Sequence, residues 1–411
     1  MKEFLLRLTS ILLITVMLSP LFSCNKAEAP TPTDAPTDAP TDAPTDAPTD
    51  KPTEKPTDAP TDAPKDEPDE PDEPEGPTLI PAPAPLKENK YDLSRENEKI
   101  RYLGRANVTE DGIACDHTAS GIEFQAFMSG ELTLSISSVN DSYFTVYIDG
   151  ERLEERFYID AGTATVTLAS FEGNYLHSVR ILKQTEPKNS RSTLIELRMT
   201  GYIVEAPEEP EYFIEFIGDS LTCGYGNIGD SSAASPGSAI WQDGTQAYAF
   251  IAAEKLGAEA SIIACSGIGV AKGWPDYEAK DLYASLCYER DPAIKYGFDK
   301  RPDLVVIHLG ANDYALDATK DSFIARSKEL IEYIREGYES DIPIIWAYEP
   351  KEGRPEWIKI ILNELGGTDA ELYMLALPQN TDGANGHPTV PSHIEAADTL
   401  CDFIEAMQIL E

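Results

Sequence analysis

The residues best suited to covalent chemistry stand in four short blocks along the chain: Gly-Asp-Ser-Leu, Ser-Gly, Gly-Ala-Asn-Asp and His-Pro. Ser220 lies in the first block, within FIGDSLTCGYGN, between an apolar run and a glycine-rich loop. A serine at the end of a strand and the start of a helix can project its hydroxyl into a cleft while its own N–H faces a developing oxyanion. Such a serine can equally cap the helix. The first block alone therefore leaves a nucleophile and a turn residue both open.

Two later blocks supply candidate oxyanion donors. Gly267, in SGIGV, offers a backbone N–H, although a glycine after a strand is mostly turn chemistry. Asn312, in GAND, offers its side-chain amide, and removing one donor from an oxyanion hole typically costs about 3 to 4 kcal/mol of transition-state stabilisation. The blocks follow three successive predicted strands, and this spacing indicates one shared site more strongly than either residue alone.

A histidine is the expected general base, and the chain contains five. His387 lies in a polar loop before the last helix-patterned segment, from which an imidazole can reach back over a sheet to take the serine proton. His308 falls inside a strand pattern and is expected to be buried. His393, at the start of the last helix, is expected to cap or pack, and it is the alternative base.

Two patterns of secondary structure meet near Glu205. In residues 91–205, short alternating runs such as ELTLSISSV are separated by Gly, Asn and Ser and predict an all-β sandwich, expected to be a jelly roll. In residues 206–411, near-continuous apolar strands such as DLVVIHLG alternate with helix patterns and predict a three-layer α/β/α domain with a parallel sheet. Ligands of such sheets bind at the carboxyl ends of the strands, where the four blocks lie.

The N-terminal region carries signals for targeting. Residues 1–24 combine Lys2 and Arg7 with an apolar run too short to span a bilayer, and they end in LFSC. This pattern resembles a bacterial lipoprotein signal in which Cys24 is lipidated; an ordinary cleaved signal peptide is the alternative. Residues 25–90 repeat Pro, Thr, Asp and Ala and predict a disordered linker. We therefore expect an extracellular, cell-surface lipoprotein that contacts the membrane only through its lipid anchor.

Charge and cysteine content limit the partners. The net charge is −39 without a basic block, so nucleic acid is not an expected partner. Besides Cys24, the chain contains Cys115, Cys223, Cys265, Cys287 and Cys401. No CxxC pair and no histidine cluster of zinc spacing occurs, so neither a disulfide framework nor a metal site is predicted. A chance pair of Cys223 with Cys265 stays open, and no cofactor is expected.

The four blocks, in this order, closely resemble the motifs of the SGNH (GDSL) hydrolases over about the last two hundred residues. The resemblance implies that Ser220 is the nucleophile and His387 its base. It also implies an oxyanion hole made of the Ser220 and Gly267 amides and the Asn312 side chain. No metal takes part in this mechanism.

A more specific resemblance covers the chain from about residue 91 to the end. A β-sandwich with YLGR at 102–105 and YIDGE at 147–151, placed ahead of an SGNH domain with CGYGN and a paired HP…SH, resembles carbohydrate esterase family 2. Members of that family remove acetyl groups from plant polysaccharides such as xylan and glucomannan. The resemblance therefore implies a serine esterase with an acetyl-enzyme intermediate and an acetylated polysaccharide or oligosaccharide as substrate.

One position departs from the family pattern. SGNH enzymes usually carry Asp three residues before the histidine, and here Ala384 stands at that position. Asp382 could bend back to orient His387. Alternatively, a backbone carbonyl could accept from His387, which leaves a catalytic dyad of Ser220 and His387, as the resemblance to dyad-type members of family 2 implies. We favour the dyad. Trp274 and Trp346 follow predicted strands and could stack on a sugar ring, although aromatic residues near a sheet more often pack.

Two other functions remain open from the sequence. A surface-anchored carbohydrate-binding protein with an inactive esterase domain would keep the sandwich and the linker. A lipase or lysophospholipase of the same superfamily would need an apolar acyl groove, and its preference for long acyl chains would distinguish it from an acetyl esterase.

Overall fold

The computed structural model of the protein describes residues 79–235, 237–350 and 353–410. These residues belong to one compact unit, Glu73–Glu411. The predicted signal peptide, its Cys24 and the predicted linker as far as residue 78 lie outside the described residues. Within the described ranges, no helix is both long enough and apolar enough to cross a membrane.

The N-terminal part of the described chain is a sheet whose strand pairs are antiparallel. Its ten strands are β1 (Glu88–Asp92), β2 (Arg101–Leu103), β3 (Asn107–Thr109), β4 (Gly112–Cys115), β5 (Gly121–Ser138), β6 (Ser142–Ile148), β7 (Glu151–Arg152), β8 (Phe157–Ile159), β9 (Gly162–Lys183) and β10 (Ser192–Glu205). They run in the order β3-β4-β10-β5-β9-β6-β7, with β1 beside β10, β2 beside β5 and β8 beside β6.

Two long strands, β5 and β9, form the centre of this sheet. Alternate side chains of β5, such as Phe124, Ala126 and Met128, are buried, as a half-buried strand requires. The sequence pattern divides β5 into two runs at Gly130. In the structure the pairing with β9 continues through a register shift between Met128 and Gly130, where an irregularity absorbs two extra residues of β9 without ending the ladder.

The described fold begins before residue 91, where the sequence pattern places the end of the linker. Strand β1 pairs with β10 from Glu88, and Pro81 forms an isolated bridge with Tyr175 of β9. The predicted linker therefore extends too far toward the C-terminus. Only Tyr91 of β1 is partly buried, so ENKYD carries almost no hydrophobic signal for a strand.

The C-terminal part contains a parallel five-stranded sheet and a small antiparallel hairpin. The strands are β11 (Tyr212–Gly218), β12 (Ala258–Ala264), β13 (Ser285–Cys287), β14 (Asp291–Lys295), β15 (Leu304–His308), β16 (Ile344–Tyr348) and β17 (Leu372–Ala376). The parallel sheet has the order β12-β11-β15-β16-β17, and β13 pairs with β14. Gly218, the last residue of β11, pairs with Ala264 on one side and His308 on the other, so three carboxyl ends lie level.

Helices connect the parallel strands and cover the sheet. They are α1 (Ser220–Cys223), α2 (Tyr248–Lys255), α3 (Ala279–Ala284), α4 (Ala311–Ala315), α5 (Lys320–Tyr338), α6 (Pro355–Glu364) and α7 (Val390–Met407). In α5, for example, Phe323, Leu330 and Ile334 recur at helical spacing and are buried against the sheet. Two separate hydrophobic clusters include residues from the parallel sheet and its helices, as a sheet covered on both faces requires.

Polar contacts join the antiparallel sheet to the parallel one. Asp116, which follows β4, accepts two hydrogen bonds of 2.7 Å from the guanidinium of Arg290. Arg180 of β9 donates two to Glu254 of α2, at 2.8 and 2.7 Å. The two parts therefore share a specific interface in addition to their chain connection.

The five cysteines in the described part of the chain are free and buried. The open possibility of a Cys223–Cys265 disulfide is therefore not realised. Cys223 instead lies with its Sγ 3.6 Å from the hydroxyl of Ser266.

Candidate active site

Ser220 is the first residue of α1 and directly follows the turn after β11. Asp219 caps the helix, since its Oδ1 accepts the N–H of Leu221 at 3.0 Å. A Cβ on Gly218 would lie 2.0 Å from Oγ1 of Thr222, so this strand-to-helix turn requires glycine. The turn places the Ser220 side chain, partly exposed, at the carboxyl edge of the parallel sheet.

His387 lies in the loop between β17 and α7, and its imidazole reaches Ser220. Its Nε2 is 2.8 Å from Oγ of Ser220, across 167 residues of sequence. Its Nδ1 is 3.2 Å from the carbonyl oxygen of Asn385. A carbonyl can only accept, so Nδ1 carries the hydrogen in the neutral ring and Nε2 accepts the serine hydroxyl proton.

The protonation state of His387 suits this arrangement. Burial lowers the pKa of His387 below its ordinary value, against the opposing effect of hydrogen bonds to the backbone of Asn385 and Ala384. The neutral imidazole therefore predominates at neutral pH, and only this form can take a proton.

Asp382 is exposed, and no hydrogen bond joins its carboxylate to His387 in the described residues. The possibility that Asp382 orients the histidine is therefore not realised. The backbone carbonyl of Asn385 accepts from His387 instead, which agrees with a catalytic dyad of Ser220 and His387.

Two backbone N–H groups of the predicted oxyanion hole have no acceptor among the described residues. Neither the N–H of Ser220 nor that of Gly267 donates to any group among the described residues. Gly267 has φ +87°, and a Cβ there would approach Trp274 to 3.1 Å, so another residue would be strained. Both predicted amide donors are available.

Asn312 lies in α4, just after β15. Its Nδ2 is 2.9 Å from Oδ2 of Asp219 and 2.9 Å from the carbonyl oxygen of Ile268. The amide thus connects the Ser220 block to the Gly267 block. Both of its N–H groups already have acceptors, so a substrate oxyanion would have to share one of them.

Carboxylates that were not predicted as site residues hold this edge together. Asp313 accepts three backbone N–H groups, those of Val270, Ala271 and Lys272, at 2.8 to 2.9 Å. Asp219 likewise binds both α1 and Asn312. The only sequence signal for either was its place inside the GDSL and GAND blocks.

A buried titratable cluster lies behind Asp219. The imidazole of His308, in β15, forms an ion pair of 3.1 Å with Glu349, and both are buried. Burial and the neighbouring Glu349 raise the pKa of Asp219 to about 7. Although burial disfavours a charged imidazole, the Glu349 carboxylate raises the pKa of His308 above its ordinary value.

His393, the alternative base, is buried in α7 and its Nδ1 accepts the N–H of Tyr248 at 3.2 Å. Burial lowers the pKa of His393 to about 3. Its ring packs against that of Tyr248 at 6.4 Å between centroids, so the prediction that His393 has a structural role is confirmed.

Trp274 and Trp346, the two tryptophans considered for sugar stacking, differ completely in exposure. Trp274 is 70% exposed, and its backbone N–H donates to the carbonyl of Gly267 at 2.8 Å, beside the site. Trp346 has no exposed surface; it packs in β16 against Phe323, and its indole donates to the carbonyl of Leu309. The possibility that Trp346 stacks on a sugar is therefore wrong, because both faces of this strand are covered by helices.

The arrangement combines a hydroxyl nucleophile, a neutral base and unpaired amide donors, which are the parts that acyl transfer through a covalent intermediate requires. Among the described residues, no group of three or more His, Cys, Asp or Glu side chains is placed to hold a metal ion.

Comparisons with family models match three parts of the chain. The model for the carbohydrate esterase 2 N-terminal domain matches residues 102–207, and that for the GDSL-like lipase/acylhydrolase family matches residues 216–372. A PT disordered repeat model matches residues 29–70.

Curated proteins and solved structures give the same relationship. The chain is 31% identical over 340 residues to the cellulase/esterase CelE of Acetivibrio thermocellus, covering 76% of this chain and 40% of that protein. It is 25% identical over 238 residues to an acetylxylan esterase/glucomannan deacetylase of Cellvibrio japonicus, covering 56% of this chain and 65% of that protein. It thus spans less than two thirds of either relative.

A family two carbohydrate esterase from Clostridium thermocellum, solved in complex with cellohexaose, superposes with a TM-score of 0.70 at 29% identity. The match covers 76% of this chain and 100% of that one.

Proposed function

Because the chain belongs to carbohydrate esterase family 2 and carries an SGNH hydrolase domain, we propose that it is a serine esterase that removes O-acetyl groups from plant cell-wall polysaccharides. The observation that carries the proposal is the 2.8 Å contact between Oγ of Ser220 and Nε2 of His387, beside two unpaired amide N–H groups. Nucleophile and base are within hydrogen-bond reach, which general-base activation of a serine requires.

The proposed reaction begins with attack by Ser220. His387 takes the hydroxyl proton on Nε2 while Oγ bonds to the acetyl carbonyl carbon. The N–H groups of Ser220 and Gly267 donate to the oxyanion, and Asn312 contributes its side-chain amide. His387 then gives the proton to the sugar oxygen as the ester C–O bond breaks, which leaves an acetyl-enzyme.

Water completes the cycle. His387 accepts a proton from the water molecule that attacks the acetyl carbonyl, and it returns that proton to Oγ as acetate leaves. The Asn385 carbonyl keeps Nδ1 protonated throughout, so the same nitrogen, Nε2, exchanges protons in both halves of the reaction.

The substrate is inferred from relatives and from Trp274. A Cellvibrio relative is named for acetylxylan and glucomannan, and the Clostridium structure holds cellohexaose. Trp274 presents an exposed indole next to Gly267, where a sugar bearing the scissile ester could stack on it. These observations support a β-linked, acetylated polysaccharide or oligosaccharide as substrate.

Acetate release from acetylated xylan and acetylated glucomannan tests the proposal, with Ser220→Ala as the matched control. We expect release by the wild type and none above background by the variant. A folded wild type that releases no acetate from either polymer or from a small acetyl ester would leave a carbohydrate-binding protein. Faster hydrolysis of octanoyl than of acetyl esters would indicate a lipase.

We further propose that the antiparallel part, which includes β1 from Glu88 and extends to residue 205, forms a jelly-roll β-sandwich, and that residues 206–411 form the α/β/α catalytic domain. The antiparallel pairing and the register shifts in β5 support the first part, since bulges let a long sheet bend over its own core. An experimental structure with one open sheet there would contradict the sandwich.

The location is also a proposal. We infer that residues 1–24 are a signal peptide, that Cys24 is lipidated and that the enzyme is held outside the cell on the bacterial surface. Cells fed a palmitate analogue should label the wild type and not Cys24→Ala. Label that persists in the variant would exclude this anchor.

A further inference from the structure

The loop between β9 and β10 reaches the oxyanion side of the site from the antiparallel sheet. Glu186, in this loop, is buried, and its carboxylate accepts two hydrogen bonds from Ser266. Oε2 is 2.5 Å from the backbone nitrogen of Ser266, and Oε1 is 2.7 Å from its hydroxyl. Ser266 is the residue immediately before Gly267.

Lys188, two residues later in the same loop, holds the other side of this peptide. Its Nζ donates to the carbonyl of Ser266 at 3.3 Å. A trans peptide is planar, so the carbonyl of Ser266 and the N–H of Gly267 point in opposite directions. A cation that fixes and polarises the carbonyl therefore fixes the N–H, and it strengthens that N–H as a donor.

Glu186 is itself held firmly. Its backbone carbonyl accepts from the buried Lys183 ammonium at 3.3 Å, and its backbone N–H donates to Oε1 of Gln242 at 3.2 Å. Gln242 in turn donates to the carbonyl of Cys223, at the end of α1. One buried chain of hydrogen bonds thus links Glu186 to the helix of Ser220 as well as to Ser266.

From these contacts we propose that Glu186 and Lys188 are positioning residues for the oxyanion hole. They set the direction of the Gly267 N–H, so the antiparallel part completes the catalytic site in addition to any role in sugar binding. This inference rests on the proposed esterase function and deepens it. Neither residue touches the reacting atoms; both act through the Ser266–Gly267 peptide.

The variants are Glu186→Gln, Lys188→Met and, as a matched control, Glu254→Gln. Glu254 is a carboxylate at the same interface that pairs with Arg180 of β9. Loss of a whole oxyanion donor lowers kcat by about 10² to 10³-fold, so misdirection of one should lower kcat by about tenfold or more. KM should change less than about twofold, and Glu254→Gln should keep the wild-type kcat.

Two substrates and one inhibitor separate positioning from other roles. Hydrolysis of 4-nitrophenyl acetate, which has no sugar, should fall by the same factor as release from the polymer. Binding of methylboronic acid, which forms a tetrahedral anion on Ser220, should weaken by that factor too, because the anion uses the same N–H. Losses confined to the polymer would instead assign the loop to sugar binding and overturn the inference.

Further outcomes overturn it as well. If Glu186→Gln and Lys188→Met have the same kcat as Glu254→Gln while Ser220→Ala is inactive, the positioning role is excluded and the esterase function is supported. If the wild type itself is inactive, both fall. Lys188 is exposed, so its variant is expected to fold even if Glu186→Gln does not. A loss in Lys188→Met that merely follows a lower unfolding temperature would show a structural role only.

Discussion

The carbonyl oxygen of Asn385 lies 3.2 Å from Nδ1 of His387, two residues further along the chain. Asn385 has φ 56°, a left-handed conformation that asparagine tolerates better than most residues. This short loop provides the acceptor that a carboxylate provides in a triad. A neutral carbonyl fixes the tautomer equally well but stabilises the imidazolium less than a negative charge does.

Substitution of the nearby carboxylate should therefore have little effect. We expect Asp382→Asn to change kcat by less than about twofold, whereas loss of a triad aspartate lowers kcat by about 10⁴-fold. Initial rates on 4-nitrophenyl acetate measure the difference. A loss of orders of magnitude in a folded variant would restore Asp382 as the orienting residue.

Ser220 and His387 should act as a unit. Ser220→Ala and His387→Gln should each lower kcat by about 10³-fold or more, and the double variant should be no worse than either, because residues of one catalytic unit are not additive. Parallel circular dichroism spectra control for folding. Additive losses in the double variant would show that the two side chains contribute independently.

The activity should depend on pH through His387. Its pKa lies below the ordinary value near 6.5, because burial disfavours the charged ring. Since the neutral imidazole is the base, kcat/KM should rise with pH below that pKa and reach a plateau by about pH 7. Asp382→Asn should leave the profile in place. Activity that falls between pH 5 and 7 would contradict this assignment.

Trp274 should affect the sugar more than the ester. Trp274→Leu removes the stacking face, so KM for the polymer should rise several-fold, while kcat/KM for 4-nitrophenyl acetate changes little. Trp346→Phe is the matched control, since Trp346 is fully buried. It should lower the unfolding temperature and leave KM unchanged. An unaltered KM for the polymer in Trp274→Leu would remove this residue from the binding surface.

The buried pair of His308 and Glu349 should contribute to stability. Glu349→Gln leaves the imidazole without its counter-ion and should lower the free energy of unfolding by about 3 to 5 kcal/mol in urea titrations. The folded pKa of His308 is raised, so its share of the stability is full below the unfolded value near 6.5 and is lost as pH rises through the folded pKa. That pH dependence should weaken in the variant; an unchanged one would exclude the pair as its source.

The structure brings together residues that short motifs mark in the sequence. Ser220, Gly267 and Asn312 follow three strands whose apolar runs are nearly unbroken, and level strand ends bring such residues together. The possibility that Trp346 stacks on a sugar was wrong, because in a strand covered on both faces the side-chain direction does not reveal exposure.

Other features depend on geometry that no local pattern encodes. The loop at Asn385 takes a conformation that spacing alone does not specify, so the sequence favours a backbone carbonyl only through the family resemblance and leaves Asp382 as the alternative. Glu186 and Ser266 are 80 residues apart, in loops that follow strands of different sheets, and neither lies in a pattern that signals the other.

Strand β1 has a consequence for how the protein can be shortened. It covers the edge of β10 from Glu196 to Thr200, although its own residues are nearly all exposed. A chain begun at residue 91 would lose the pairs to Arg198, Met199 and Thr200 and keep only those of Tyr91 and Asp92. Open strand edges pair readily with other chains. Truncated forms that omit residues 79–90 should therefore self-associate, so a soluble catalytic fragment needs this polar segment as a shield.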